Sequence, residues 1–136
     1  MYEEYLKELI RNTLSKYPPQ LTQRLKDCSL TGPGGVRKVL GGIDLEFFGK
    51  AYFPDYFRYP TPEFHREAYA ELDRVLNRPP RRARLVRAWP RGNAKSTIYN
   101  FFAPTNAALY GKRHMLVQVS DSESQAESFL ADIKTA

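Results

Sequence analysis

Arg87-Ala88-Trp89-Pro90-Arg91-Gly92-Asn93-Ala94-Lys95-Ser96-Thr97 is the stretch on which the reading of this chain turns. A Lys-Ser pair closes a short loop that comes after the apolar residues Leu85, Val86 and Ala88, and a helical pattern opens at Ser96. Strand, loop and helix in that order suit polyphosphate binding. N–H groups at a helix start face the phosphates, a Lys ammonium reaches the outer ones, and a hydroxyl holds Mg²⁺. The strict spacing G-x-x-x-x-G-K-[ST] is not met. Aligned on Lys95, its first glycine falls on Trp89 and its second on Ala94; Gly92, between them, can still supply a positive φ or a close backbone approach. By themselves these residues fit a nucleotide loop, or an ordinary helix start in which Ser96 or Thr97 satisfies free N–H groups.

Working outward, Ile98, Phe101 and Phe102 continue the helix after the loop, and Pro104 is expected to kink or end its first part. Gly111 ends the helical segment beyond Pro104. Met115, Leu116, Val117 and Val119 read as a strand buried on both faces. Ser120 with Glu123 fits a capping box for a last helix with the stripe Ala126, Phe129, Leu130 and Ile133. Upstream, Thr61 is placed to cap a helix with Pro62 at its first position and Phe64, Ala68, Leu72 and Val75 on its buried stripe. Helix, strand, helix, strand, helix predicts a parallel βαβ unit with a right-handed crossover.

Before that, Tyr2, Tyr5, Leu6, Leu9, Ile10 and Leu14 recur at helical spacing, and Pro18-Pro19 stops the pattern. Leu21 to Leu30 suggests a second short helix, Thr31-Gly32-Pro33-Gly34-Gly35 a turn, Gly41-Gly42 another break, and Asp44 the cap of a helix through Lys50. Tyr52 to Pro62 is dense in aromatics and prolines. Such a segment packs its rings onto the domain or, with basic residues among them, offers stacking faces to single-stranded bases.

With 42% hydrophobic and 26% charged residues over 136 positions, the composition is that of a globular chain rather than a disordered one. The net charge of +6 favours polyanionic partners such as nucleic acid. Arg78, Arg81, Arg82, Arg84, Arg87 and Arg91 lie close together in the chain, as a solvated basic face or as the lining of a DNA path. Cys28 stands alone and only His65 and His114 accompany it, which excludes an intramolecular disulfide framework and a zinc cluster. No apolar run has the length of a membrane span and Met1-Tyr2-Glu3-Glu4 is no signal peptide, so the chain reads as soluble and intracellular.

The departures in the loop carry a resemblance. Pro90-Arg91-Gly92-Asn93-Ala94-Lys95-Ser96-Thr97 resembles the deviant Walker A loop of phage terminase large subunits, the ATP-driven motors that package double-stranded DNA into capsids. In that family an Arg commonly stands early in the loop and the glycine before the Lys is often replaced. Tyr52-Phe53-Pro54-Asp55-Tyr56-Phe57 and Thr61-Pro62-Glu63-Phe64-His65-Arg66-Glu67 look like the segment leading into the family's adenine-contacting region. Val117-Gln118-Val119-Ser120-Asp121-Ser122-Glu123-Ser124-Gln125-Ala126 looks like its next strand and helix.

The resemblance implies an α/β fold: an incomplete P-loop NTPase βαβ unit of RecA/ASCE type, with a lead-in over residues 1–60 and the front of the ATPase domain over 61–136. It implies ATP and Mg²⁺ as cofactors. Gly92, Asn93, Ala94, Lys95, Ser96 and Thr97 would form the phosphate site, with Lys95 as the point charge, Ser96 as the Mg²⁺ ligand and Thr97 supporting the first helical turn. Arg91 would act near the γ-phosphate as a sensor or arginine finger. Phe64 and His65 would contact the base by stacking and hydrogen bonding, although for His65 a half-buried structural place fits as well. Implied partners are double-stranded DNA, a portal protein, a small terminase subunit and further copies of the chain, with no membrane, in the cytoplasm of an infected host or from a prophage.

The family also needs Walker B acids, a coupling motif and a C-terminal nuclease. None can be placed before Ala136, so the expectation is the N-terminal part of a larger protein that binds nucleotide without efficient hydrolysis. Two other readings stay open. One is a different P-loop ATPase or kinase with Asp121 as the acid after Val117-Gln118-Val119, weakened by Ser120 and the polar Gln118. The other is a basic DNA- or portal-binding module with a vestigial loop.

Overall fold

Every regular element among the described residues is helical. The structure, a computed structural model, describes residues 1–78 and 83–136, and the chain divides into two units, 1–70 and 71–136.

The first unit begins with α1 (Tyr2–Leu14), whose Leu6 and Ile10 are one turn apart and face inward. Pro19 opens α2 (Pro19–Leu25), which stops five residues short of the expected end at Leu30. In the next turn, Gly35 is required by packing: a Cβ there would lie 2.6 Å from the Thr31 carbonyl carbon and oxygen. Helix α3 (Val36–Ile43) runs through Gly41 and Gly42 instead of breaking at them. The break comes at Asp44, whose carboxylate accepts the Phe47 N–H at 2.7 Å and the Tyr17 hydroxyl at 3.1 Å and so starts α4 (Leu45–Tyr52) as expected.

Leu6, Ile10, Leu25, Val36, Leu40, Phe47 and Ala51 form the core of this unit. Burying each large apolar side chain contributes roughly 1.5–3 kcal/mol. Within it, Glu46 is 8% exposed and is held by Lys50 at 2.6 Å and Lys16 at 3.1 Å. Burial opposes its charge, yet the Lys50 hydrogen bond and both ammonium charges outweigh that and hold the carboxyl at about 2.

Helix α5 (Glu63–Asn77) starts later than its sequence suggests. The Pro62 carbonyl accepts the first N–H groups, from His65 at 3.1 Å and Arg66 at 3.2 Å, and the buried Thr61 hydroxyl caps nothing. Ala68 and Leu72 are buried as expected, Tyr69 joins them, and Phe64 is exposed.

In the second unit Arg113 donates to the carbonyls of Val75 (2.6 Å) and Leu76 (3.5 Å), in the last turn of a helix, where carbonyls have no intrahelical donor. The helix after the loop does not break at Pro104. It widens into a π-helical segment, Thr97–Phe102, and continues as α6 (Ala103–Leu109). Pro104 has no N–H for the carbonyl four residues back, that of Asn100, and the Gln118 side-chain amide supplies a donor at 2.6 Å. Gly111, with φ +60°, closes α6 in the left-handed conformation. The last helix, α7 (Glu123–Thr135), is capped by Ser122, not Ser120, whose hydroxyl instead meets the Gln125 side chain.

The α/β expectation is overturned: among the described residues there is no strand, and the βαβ unit is not formed. Residues 83–90 and 115–120 carry no regular structure, and Val86 and Val119 are 87% and 89% exposed. Apolar periodicity predicts which side chains share a face, but a strand exists only where its N–H and C=O groups meet a neighbour's. No such ladder joins these segments among the described residues. The same finding leaves Asp121 at the end of no strand; it lies in a bend, accepting from Ser120 at 3.2 Å.

Candidate functional site

The loop ahead of α6 is built from local restraints. Trp89 packs edge-on against Tyr99 on the π-helical segment, with ring centroids 5.9 Å apart. Arg87 donates to the Tyr99 hydroxyl at 3.3 Å and pairs with Glu71, so it is a structural tie as well as a member of the basic run. Asn93 turns its side-chain amide back onto the carbonyls of Pro90 (3.1 Å) and Arg91 (3.5 Å), which closes the turn.

Two residues of that turn have left-handed backbone: Gly92 at φ +81° and Ala94 at φ +55°. Ala94 is the one non-glycine residue among those described with a positive φ, and it occupies the position of the second pattern glycine. The chain thus adopts a glycine conformation where the glycine is missing, at a cost in backbone strain of about 1–2 kcal/mol. Past Ala94 the chain becomes helical: the Ala94 carbonyl accepts the Ile98 N–H at 3.0 Å, and Lys95 and Ser96 form the first turn. The N–H groups of a first turn have no intrahelical acceptor and carry the positive end of the helix dipole.

Lys95 and Ser96 line one cleft of about 260 Å³ together with Leu85, Arg87, Tyr99 and Asn100. Among the described residues neither side chain has a hydrogen bond or an ion pair, and neither has that of the exposed Arg91. The donor set suits a polyphosphate: unspent N–H groups, an unpaired ammonium and a hydroxyl at one helix start. For Mg²⁺ the chain offers the Ser96 hydroxyl, and among the described residues no cluster of three or more His, Cys, Asp or Glu side chains forms a metal cage. A Mg²⁺ carried by phosphate oxygens and water needs only one or two protein ligands.

Gly92, Asn93, Ala94, Lys95, Ser96 and Thr97 therefore share one turn, with Arg91 at its start. Phe64 and His65 lie in the first unit, on the opening turn of α5, their rings edge-to-face at 4.5 Å. Of the basic run, Arg78, Arg84 and Arg91 are exposed, while Arg81 and Arg82 lie outside the described residues. The clamp of Arg87 and Trp89 on Tyr99 escapes a sequence reading, in which nothing but the shared aromatic character of Trp89 and Tyr99 hints at it.

No helix among the described residues is long and apolar enough to cross a membrane. Comparison with protein-family models, with curated proteins and with solved structures finds no match to this chain.

Proposed function

We propose that the loop 90–97 binds the phosphates of ATP and that this chain is the nucleotide-binding part of a phage terminase large subunit. The observation that carries the proposal is the left-handed pair Gly92 and Ala94 directly ahead of Lys95 and Ser96 on one cleft. A residue with a Cβ is held in a glycine conformation only where something over-determines it, and such strain clusters at ligand sites. The backbone N–H groups from Gly92 to Ser96 hold the β- and γ-phosphates, Lys95 neutralises them, and Ser96 supplies its hydroxyl to Mg²⁺. Arg91, exposed and without an ion pair among the described residues, is free to swing onto the outermost phosphate. Asn93 acts on the loop itself, through its bonds to Pro90 and Arg91.

Bound Mg-ATP supplies the phosphoanhydride whose hydrolysis drives packaging in that family; double-stranded DNA, a portal, a small subunit and further copies of the chain are the partners of the same proposal. The test is calorimetric titration with Mg-ATP of the parent and of Lys95→Ala. Parent binding with at least a tenfold loss in the variant, about 1.4 kcal/mol, supports the reading; equal affinities sink it. One observation favours a second reading, a basic duplex-binding surface: Arg84 and Arg91 are exposed and unpaired among the described residues. Salt-dependent duplex binding that neither Lys95→Ala nor ATP alters would select it.

A further inference from the structure

The first unit carries a groove that none of these roles uses. One cavity of about 560 Å³ is lined by Tyr5, Lys50, Phe57, Arg58, Tyr59 and Thr61 among others. A second, of about 340 Å³, is lined by Lys16, Glu46 and Arg66. Leu9, Asn12 and Lys50 line both, so the two are continuous.

Three properties of the groove point to the same class of ligand. One of its rings is presented, not packed away: Tyr59 is 84% exposed and has no ring partner among the described residues, while the half-buried Phe57 ring has Lys50 at 5.7 Å from its centre. Its charge is positive, with Lys16, Lys50, Arg58 and Arg66 against Glu8 and Glu46; Lys16 and Lys50 share Glu46, Arg66 pairs with Glu63 at 3.3 Å, and Arg58 has no ion pair among the described residues. Thr61, 7% exposed, lines the larger cavity with a buried hydroxyl that has no hydrogen-bond partner among the described residues, a polar group that a ligand can satisfy.

We infer that this groove binds single-stranded nucleic acid, with a base stacked on Tyr59 and the phosphate backbone running along Arg58, Lys50 and Arg66. Aromatic faces interleaved with cations along a groove are the physical requirement for sequence-tolerant binding of a single strand. A duplex keeps its bases stacked on one another and has no free face for Tyr59, and a cavity of this volume admits nucleotides one at a time. An acidic peptide would answer the cations but would leave the open ring unused.

The test is fluorescence anisotropy of the whole chain with a labelled oligothymidylate about 20 nucleotides long, long enough to cover a groove of this kind. A duplex of equal length and polyglutamate serve as competitors. We expect the single strand to bind more tightly than either. Tyr59→Ala should weaken it about tenfold, Tyr59→Phe should leave it unchanged, and Arg58→Ala should lower the slope of log affinity on log salt by about one phosphate contact. Lys95→Ala should have no effect on this binding, which separates the groove from the ATP reading. Because Tyr59 lies in solvent, its replacement does not threaten the fold, and an unchanged far-ultraviolet spectrum verifies that. Binding insensitive to Tyr59→Ala, a duplex bound as tightly as the single strand, or equal competition by polyglutamate would each overturn the inference.

Discussion

Replacing Ala94 with glycine tests the loop through the sign of one stability change. At φ +55° the Ala94 Cβ crowds its own carbonyl, and the left-handed conformation costs a non-glycine residue about 1–2 kcal/mol. Glycine removes that cost but adds freedom to the unfolded chain, which takes back roughly 0.4–1 kcal/mol. The net expectation for Ala94→Gly is stabilisation by about 0.5–1 kcal/mol. For a unit spanning residues 71–136, each kcal/mol corresponds to about 4–8 °C in Tm, so a rise of a few degrees is readable by circular dichroism. The control is Ala108→Gly on the exposed side of α6, where the same chemical change meets ordinary right-handed helix and costs up to about 1 kcal/mol. Thermal melts confirmed by urea titration should move in opposite directions for the two variants. A fall in Tm for Ala94→Gly that matches Ala108→Gly would refute the reasoning. Residue 94 would then be an ordinary first-turn alanine, and the loop would lose the feature that sets it apart from any helix start.

The converse substitution, Gly92→Ala, meets no atom within 4 Å, so only its φ of +81° opposes it; we expect a loss of about 1–2 kcal/mol by urea denaturation, and an unchanged midpoint would argue against that backbone conformation. Glu46 ties stability to acid: its folded carboxyl sits at about 2 against an ordinary 4.5, so its contribution is complete above the ordinary value and is lost as pH falls from about 4.5 toward 2. That loss is on the order of 3 kcal/mol, and Glu46→Gln should both lower stability at neutral pH and flatten the acid limb of a Tm-against-pH curve. Gln118→Ala removes the donor to the Asn100 carbonyl and should cost about 1 kcal/mol, whereas in a Pro104→Ala background, where the backbone regains its N–H, the cost should shrink; additive effects in that double-mutant cycle would show that Gln118 does not stand in for the missing proline N–H.

What can be read from the sequence is local. Asp44 ahead of an apolar run is a cap by its chemistry, Leu6 and Ile10 one turn apart are a helix face, and Gly92 three residues ahead of the Lys95-Ser96 pair announces a turn into a helix. The rest is decided by partners elsewhere in the chain. Gly41 and Gly42 look like a break, yet tertiary packing outweighs the roughly 1 kcal/mol that each glycine costs a helix. Ser120 and Ser122 are equally good caps by residue type, and the backbone conformation selects the second. Ala94 reads as a lost glycine, because residue identity does not show that the chain adopts the left-handed conformation regardless.

The misread strands and the retained loop have one explanation. Residues 85–88 and 115–119 depend for strand structure on a partner ladder distant in sequence, and among the described residues they have none, so Val86, Met115, Val117 and Val119 remain in water. Each such side chain forgoes roughly 1.5–3 kcal/mol of burial. The loop needs nothing so remote. Its shape rests on Asn93 reaching back to Pro90 and Arg91, on Trp89 and Arg87 meeting Tyr99 within the next helical turns, and on the helix that begins beyond Ala94. Contacts of such short sequence separation cost little loop-closure entropy, so they form whether or not a sheet surrounds them. Phosphate binding at Lys95 thus stands or falls on the loop alone: the Lys95→Ala titration and the Ala94→Gly melt probe it directly, and the missing βαβ unit counts against neither.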